Sequence, residues 1–262
     1  MPNTYGVDEI LDQANKKERE YDWLGATETY SKGFDSLSAK DFSSLGGLYE
    51  RLGYAFRRAA MQAEDANEFK DRMTKAISGY GKAREIYDKV DKNDTATRAK
   101  VLRCDATKAY LEHWLVFDSS EKKKLLDESW RLATESMRAF EEAAELEEYA
   151  KTYLQLSDMA IFIFTREYDF KSREKVIQEA VESGEKAIKY LSERGDASDL
   201  AKAYTRTVVF LGVFGYYFYD IDEREKYRLE GLDYWNKAKE LSEAAAMTEF
   251  LYPVFGGQVF FG

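Results

Sequence analysis

The chain has 262 residues, of which 44% are hydrophobic and 34% charged, and its formal net charge is −10. This is a globular composition, and its acidic balance excludes a strongly basic nucleic-acid footprint. Two prolines favour long helices, one cysteine (Cys104) excludes a disulfide framework or a cysteine-rich zinc site, and one histidine (His113) excludes a histidine metal pair.

The first segment with helical periodicity runs over about Val7–Tyr21, with Ile10, Leu11 and Ala14 on one stripe. A second helix starts near Trp23 and carries Ala26, Tyr30, Gly33, Phe34 and Leu37. Asp41 reads as the N-cap of the next helix, which runs through SSLGGLYERLGYAFRRAAMQAED despite Gly46, Gly47 and Gly53. Each glycine costs about 1 kcal/mol against alanine in an isolated helix, so close packing is the expected reason for them. Asn67 is a cap candidate for the following helix (Phe69, Met73, Ala76, Ile77, Tyr80, Ala83, Tyr87), and Asp94 and Thr95 for the one after DKNDTAT. Ser120 is a cap candidate for the helix that follows LEHWLVFD. Two apolar first-helix ends follow, MAIFIF and VVFLGVFGYYFY, separated by the amphipathic EKVIQEAVESGEKAIKYL and a Gly195–Asp196 turn.

These segments repeat. Ala26, Ala76, Ser129, Ala180 and Gly231 stand 50, 53, 51 and 51 residues apart. Seven residues after each comes another small one: Gly33, Ala83, Ser136, Ala187 and Ala238. Ala14, Gly53, Ala106, Ser157 and Val208 form a third series on the first helices. A bulky line, Leu37, Tyr87, Phe140 and Leu191, fills the space beside them. Small residues recurring on one helix face let two backbones approach, and a fixed period of this length signals a stacked helical array. The expected fold is all-α, an α-α superhelix of about five two-helix repeats in a single domain over 1–262. The units are 7–37, 41–90, 95–144, 146–194 and 196–246, with 247–262 as a partial helix or capping tail. The apolar ending, Val-Phe-Phe-Gly, leads to the expectation that the protein is part of a longer one or that the tail folds back on the last repeat.

LYERLGYAF (Leu48–Phe56) and YDWLGATETYSKGFDSL (Tyr21–Leu37) resemble the tetratricopeptide pattern. Tyr49, Leu52, Gly53 and Phe56 fit its first helix, and Ala26, Tyr30 and Gly33 its second, with glycine in the last alanine place. The pattern's terminal proline is missing, and the period departs from the family's 34 residues. The distance from the small residue of the first helix to that of the second is 12 in the first unit and 23 in the others. The extra 11 residues are close to three helical turns, so both arms lengthen while the packed face is kept. GFDSLSAKDFSSLGGLYERLGYAFRRAAMQ is similar in style to the SNAP-type vesicle-fusion adaptors. The resemblance implies a superhelix with a protein-binding role.

No catalytic constellation, metal set or cofactor motif is expected. His113 reads as a packed or surface imidazole, and Cys104 as a buried inert thiol. Asp65, Asp118, Asp169 and Asp220 recur at the turns and read as caps or turn formers rather than ligands, because a solenoid spaces equivalent residues apart. On the tetratricopeptide alignment the groove positions are Glu50, Tyr54, Arg57, Arg58, Lys100, Arg103, Tyr110, Lys151 and Lys202. A basic groove dotted with tyrosine suits an acidic peptide or the carboxyl terminus of a protein. The expectation is therefore a non-enzymatic scaffold or regulatory module that binds a protein or peptide. The alternative is a ligand-sensing helical domain with an apolar pocket, part of a larger signalling protein. The apolar helix ends leave a homo-oligomer interface open. The N-terminus lacks a signal-peptide pattern, and the longest apolar run, Val208–Tyr219, is 12 residues where a membrane span needs roughly 20, so a cytoplasmic location without a membrane span is expected.

Overall fold

The structure, a computed structural model, describes residues 7–37, 41–90, 93–167, 169–194, 197–217 and 221–244. The protein is all-α, with consecutive helices pairing in the manner of an α-α superhelix, and no strand occurs among the described residues. It divides into two compact units, Met1–Ala139 and Phe140–Gly262. The expectations for Gly195–Asp196, Asp220 and the 247–262 tail lie outside the described residues.

The first unit contains α1 (Val7–Arg19), α2 (Trp23–Gly33), α3 (Phe42–Ala60), α4 (Ala66–Tyr87), α5 (Thr95–Glu112) and most of α6 (Ser119–Glu142). The helices start where a carboxylate can cap them. Asp22, Asp41, Asp65 and Asp94 accept from the N–H groups of Gly25, Ser44, Asn67 with Glu68, and Thr97. Asp118 accepts from Glu121 N–H at 2.8 Å at the start of α6. Of the cap candidates the sequence offered, Asp65 caps α4 and Asp118 caps α6, whereas Asn67 and Ser120 do not. In both places the carboxylate stands just ahead of the first helical residue, where a side chain reaches back-facing N–H groups, whereas Asn67 and Ser120 are already inside the helix. Helix α1 also ends earlier than expected. Tyr21 adopts φ 60°, while Asp22 N–H bonds Lys17 O and Tyr21 N–H bonds Glu18 O, a Schellman stop with tyrosine in the left-handed position.

The close approach foreseen for α3 and α4 is real. A Cβ on Gly53 would stand 2.9 Å from the Tyr80 ring, and one on Gly79 would stand 2.9 Å from the Gly53 Cα. Gly46 lies against the Tyr87 ring in the same way. Gly47 does not follow this reason, since a Cβ there would meet only the Tyr87 hydroxyl at 3.9 Å, an ordinary contact. The pairing of residue 46 with 87 and 53 with 79–80 makes the two helices antiparallel. The α5–α6 hairpin closes differently. Ser129 Oγ donates to Ala106 O, and Ser136 Oγ donates to Ala99 O at 2.8 Å, so serine at the small positions also bonds the opposing backbone.

The second unit contains the end of α6, then α7 (Leu146–Leu156), α8 (Asp158–Arg166), α9 (Phe170–Arg194), α10 (Ala197–Tyr217) and α11 (Ile221–Ala244). The first helix of its first hairpin is interrupted at Ser157. That residue stays right-handed, but its carbonyl takes the N–H of Ala160, three residues on, which tightens the turn. Asp169 caps α9 through Ser172 N–H at 2.8 Å. Helices α7, α9 and α10 meet where Tyr153 and Thr207 share a hydrogen bond of 3.0 Å, in the space that a side chain on Gly184 would fill. Every residue of the three small series is buried, as are Tyr87, Phe140 and Leu191 of the bulky line, and Leu37 packs half-buried on the first core cluster.

Candidate functional site: the first-helix face

Helices α3 and α5 are first helices of successive hairpins in the first unit. They lie parallel and in register, because Glu50 meets Arg103 and Arg57 meets Tyr110, both pairs being 53 residues apart. The Glu50 and Arg103 side chains are almost wholly buried, at 9% and 5% exposure, and join at 2.9 and 3.1 Å. Around this pair stand Tyr87 and Cys104. Burial first, and then the Glu50 charge, pushes both of their pKa values up, so phenol and thiol stay protonated. Cys104 is the inert buried thiol expected.

Above that floor the face carries cations laid on rings. The Arg57 guanidinium lies 4.9 Å from the centre of Tyr110, and Arg58 lies 5.0 Å from that of Trp23. Tyr54 meets Trp23 edge-on at 5.8 Å, and Lys100 sits 5.6 Å from the Tyr87 ring. Tyr54, Arg57, Arg58 and Lys100 are half-buried, whereas Tyr110 is buried. Tyr110 continues into a stack with His113 at 5.1 Å, and His113 tilts against Trp114 at 4.9 Å. His113 Nδ1 contacts Tyr110 O, an oxygen that only accepts, so this nitrogen carries a hydrogen. The imidazole is buried and packed, one of the two readings the sequence allowed.

The structure thus brings Glu50, Tyr54, Arg57, Arg58, Lys100, Arg103 and Tyr110 onto two neighbouring helices. Arg103 and Glu50 are spent on each other beneath the surface. Lys151 and Lys202 belong to the second unit, on α7 and α10. There Lys151 is 2.9 Å from both Glu147 and Glu148, and Lys202 is 2.8 Å from Asp199, so each lysine is neutralised one turn away on its own helix. Sequence reasoning missed Trp23, whose role as the seat of Arg58 depends on a contact 35 residues away in sequence. The apolar ends are partly accounted for within the second unit. Met159, Ala160, Ile163, Phe164, Val208, Phe210 and Leu211 are buried, while Val209 is 46% exposed. The side chains of 213–219 lie outside the described residues. Among the described residues there is no group of three or more carboxylate, histidine or cysteine side chains arranged to hold a metal ion, and no helix long and apolar enough to cross a membrane.

No protein-family model and no curated protein matches this sequence, so the tetratricopeptide and SNAP-type resemblances rest on the quoted residues alone. Among solved structures the protein is similar to a de novo designed helical repeat protein, DHR64, with 13% identity and a TM-score of 0.32, over 90% of its own length and 96% of the designed protein's.

Proposed function

We propose that the protein is a non-enzymatic interaction module of the cytoplasm, built on a tetratricopeptide-like plan, that holds a peptide or protein segment on its first-helix face. The supporting observation is the parallel register of α3 and α5. It turns residues 53 apart in sequence into neighbours, so that a repeating text becomes a continuous surface. On that surface the half-exposed cations are held against rings, which fixes them before a partner arrives and lowers the entropy cost of engaging them. The segment it suits is acidic. Guanidinium groups recognise carboxylates through paired N–H donors.

A random peptide library displayed on phage and selected against the protein tests this. The expected result is a set of peptides enriched in Asp and Glu that lose about tenfold or more in affinity when Arg57 and Arg58 are both changed to Glu. A protein that selects no peptide, or peptides indifferent to those changes and to salt, would defeat the reading.

A further inference from the structure

At one step of the repeat the sequence breaks its own pattern. Lys100, Lys151 and Lys202 are equivalent residues, 51 apart on successive first helices. Lys151 has Glu147 and Glu148 one turn before it, and Lys202 has Asp199, each at ion-pair distance. The places in α5 equivalent to Glu147 and Glu148 are held by Ala96 and Thr97, which carry no charge. Among the described residues no carboxylate pairs with Lys100. Asp94 feels its charge but is engaged as the cap, accepting from the Thr97 N–H at 2.8 Å. Lys100 instead lies half-buried, with its ammonium 5.6 Å from the centre of the Tyr87 ring.

The same ring borders a second departure. Gly47 holds the equivalent place on α3, 53 residues before Lys100. Glycine is unfavourable in a helix interior, and Gly46, Gly53 and Gly79 are explained by the rings or backbone that a Cβ would strike. A Cβ on Gly47 would meet only the Tyr87 hydroxyl at 3.9 Å, so packing gives no reason for its absence, while the bare backbone keeps the space beside Tyr87 clear. We infer that Lys100, Tyr87 and Gly47 form a seat for one carboxylate of the partner segment. The ammonium takes the charge, the ring holds the ammonium in place, and the missing side chain at 47 admits the segment. The inference rests on the proposed peptide-binding function and names a second point at which an acidic segment is held. Lys100 stands ten residues before Tyr110, the seat of Arg57, on the same helix, a rise of about 15 Å. An extended segment covers that distance in about four or five residues, which sets the spacing of its two acidic side chains.

The test uses the 262-residue chain and peptides selected as above. Three variants are compared. Lys100→Gln removes the cation, Ala96→Glu gives Lys100 the carboxylate four residues back that Lys151 has in Glu147, and Gly47→Gln lays a side chain over the open place. Ala96 lies in the first turn of α5, where a carboxylate is favourable, and Gln is a better helix former than Gly, so the last two variants should melt no lower than wild type. The expected result is a loss of about tenfold in peptide affinity for each of the three, with affinity kept by Lys100→Arg and selected peptides carrying Asp or Glu at the spacing given. A loss of affinity without a lowered melt separates a binding role from a structural one. Peptides that keep full affinity for all three variants while still responding to the Arg57 and Arg58 changes would overturn the seat and leave the interaction module standing. A wild-type protein that selects no peptide would overturn both.

Discussion

In the first unit Arg57 and Arg58 lie on the rings of Tyr110 and Trp23, side chains that belong to other helices. In the second unit Lys151 and Lys202, also on first helices but at another position of the repeat, turn to carboxylates three or four residues off on their own helix. The two arrangements differ in what sets them. An i, i+3 or i, i+4 pair is chosen by local sequence, stays wet, and is worth a few tenths of a kcal/mol. A guanidinium on a ring from a neighbouring helix is oriented by the packing of the array. The repeat equivalent of Lys151 and Lys202 in the first unit is Lys100, 5.6 Å from the Tyr87 ring of the preceding helix, so the same step of the repeat sets a cation on a ring in one unit and beside carboxylates of its own helix in the other. The hairpins show a similar divergence. Glycines close α3 on α4 by removing side chains, whereas serines of α6 close it on α5 by donating to α5 carbonyls.

The sharpest way to break the first unit is through the floor of its face. Arg103→Ala leaves Glu50 buried and unpaired, and should cost about 3–5 kcal/mol of unfolding free energy in a denaturant titration. Double replacement by apolar residues of similar size should restore much of it, because the pair stabilises weakly in net terms. Next comes the glycine contact. Gly79→Ala forces its Cβ onto the Gly53 backbone, and overpacking of this kind should cost about 1–3 kcal/mol. A melt within error of wild type would show that α3 and α4 part freely.

Smaller effects sharpen the contrast from the other side. Ala144, between α6 and α7, sits at φ 56° and is exposed, so Ala144→Gly should stabilise the protein by about 0.5–1 kcal/mol by removing Cβ strain. In the second unit Glu141 accepts from Lys186 at 2.8 Å and from the Tyr190 hydroxyl at 2.8 Å. The Lys186 hydrogen bond, opposed by burial and helped by Tyr190, holds the Glu141 carboxyl below its usual pKa. A depressed folded-state pKa means stability that is present above the unfolded-state value and lost as pH falls through the folded one. Glu141→Gln should therefore lose that stability at neutral pH and flatten the acid limb of a stability–pH curve below about pH 4.5, where variant and wild type converge. Lastly, replacing both Lys151 and Lys202 by Ala should change stability by less than about 1 kcal/mol. It should also leave peptide binding on the α3–α5 face intact, in contrast to the Arg57 and Arg58 changes.

Much of this architecture was legible in the text because it depends on neighbours. The caps at Asp41, Asp65, Asp94, Asp118 and Asp169 reach only two or three residues forward. The three small-residue series declared the helix faces, since a backbone cannot approach closely past a large side chain. Other features were hidden. That Glu50, placed in the groove by alignment, is instead buried under Arg103 depends on a helix 53 residues away. Tyr21 reads as an ordinary end to an ordinary helix until its φ is known.

By itself, then, the sequence determined that the protein is helical, that its helices pair in order, and which faces they bury, because period and capping are properties of adjacent residues. The tertiary structure alone decided which charges are consumed inside and which remain at the surface. A charge is valued by whatever lies within a few ångströms of it, and in an array of stacked hairpins those groups come from distant parts of the sequence.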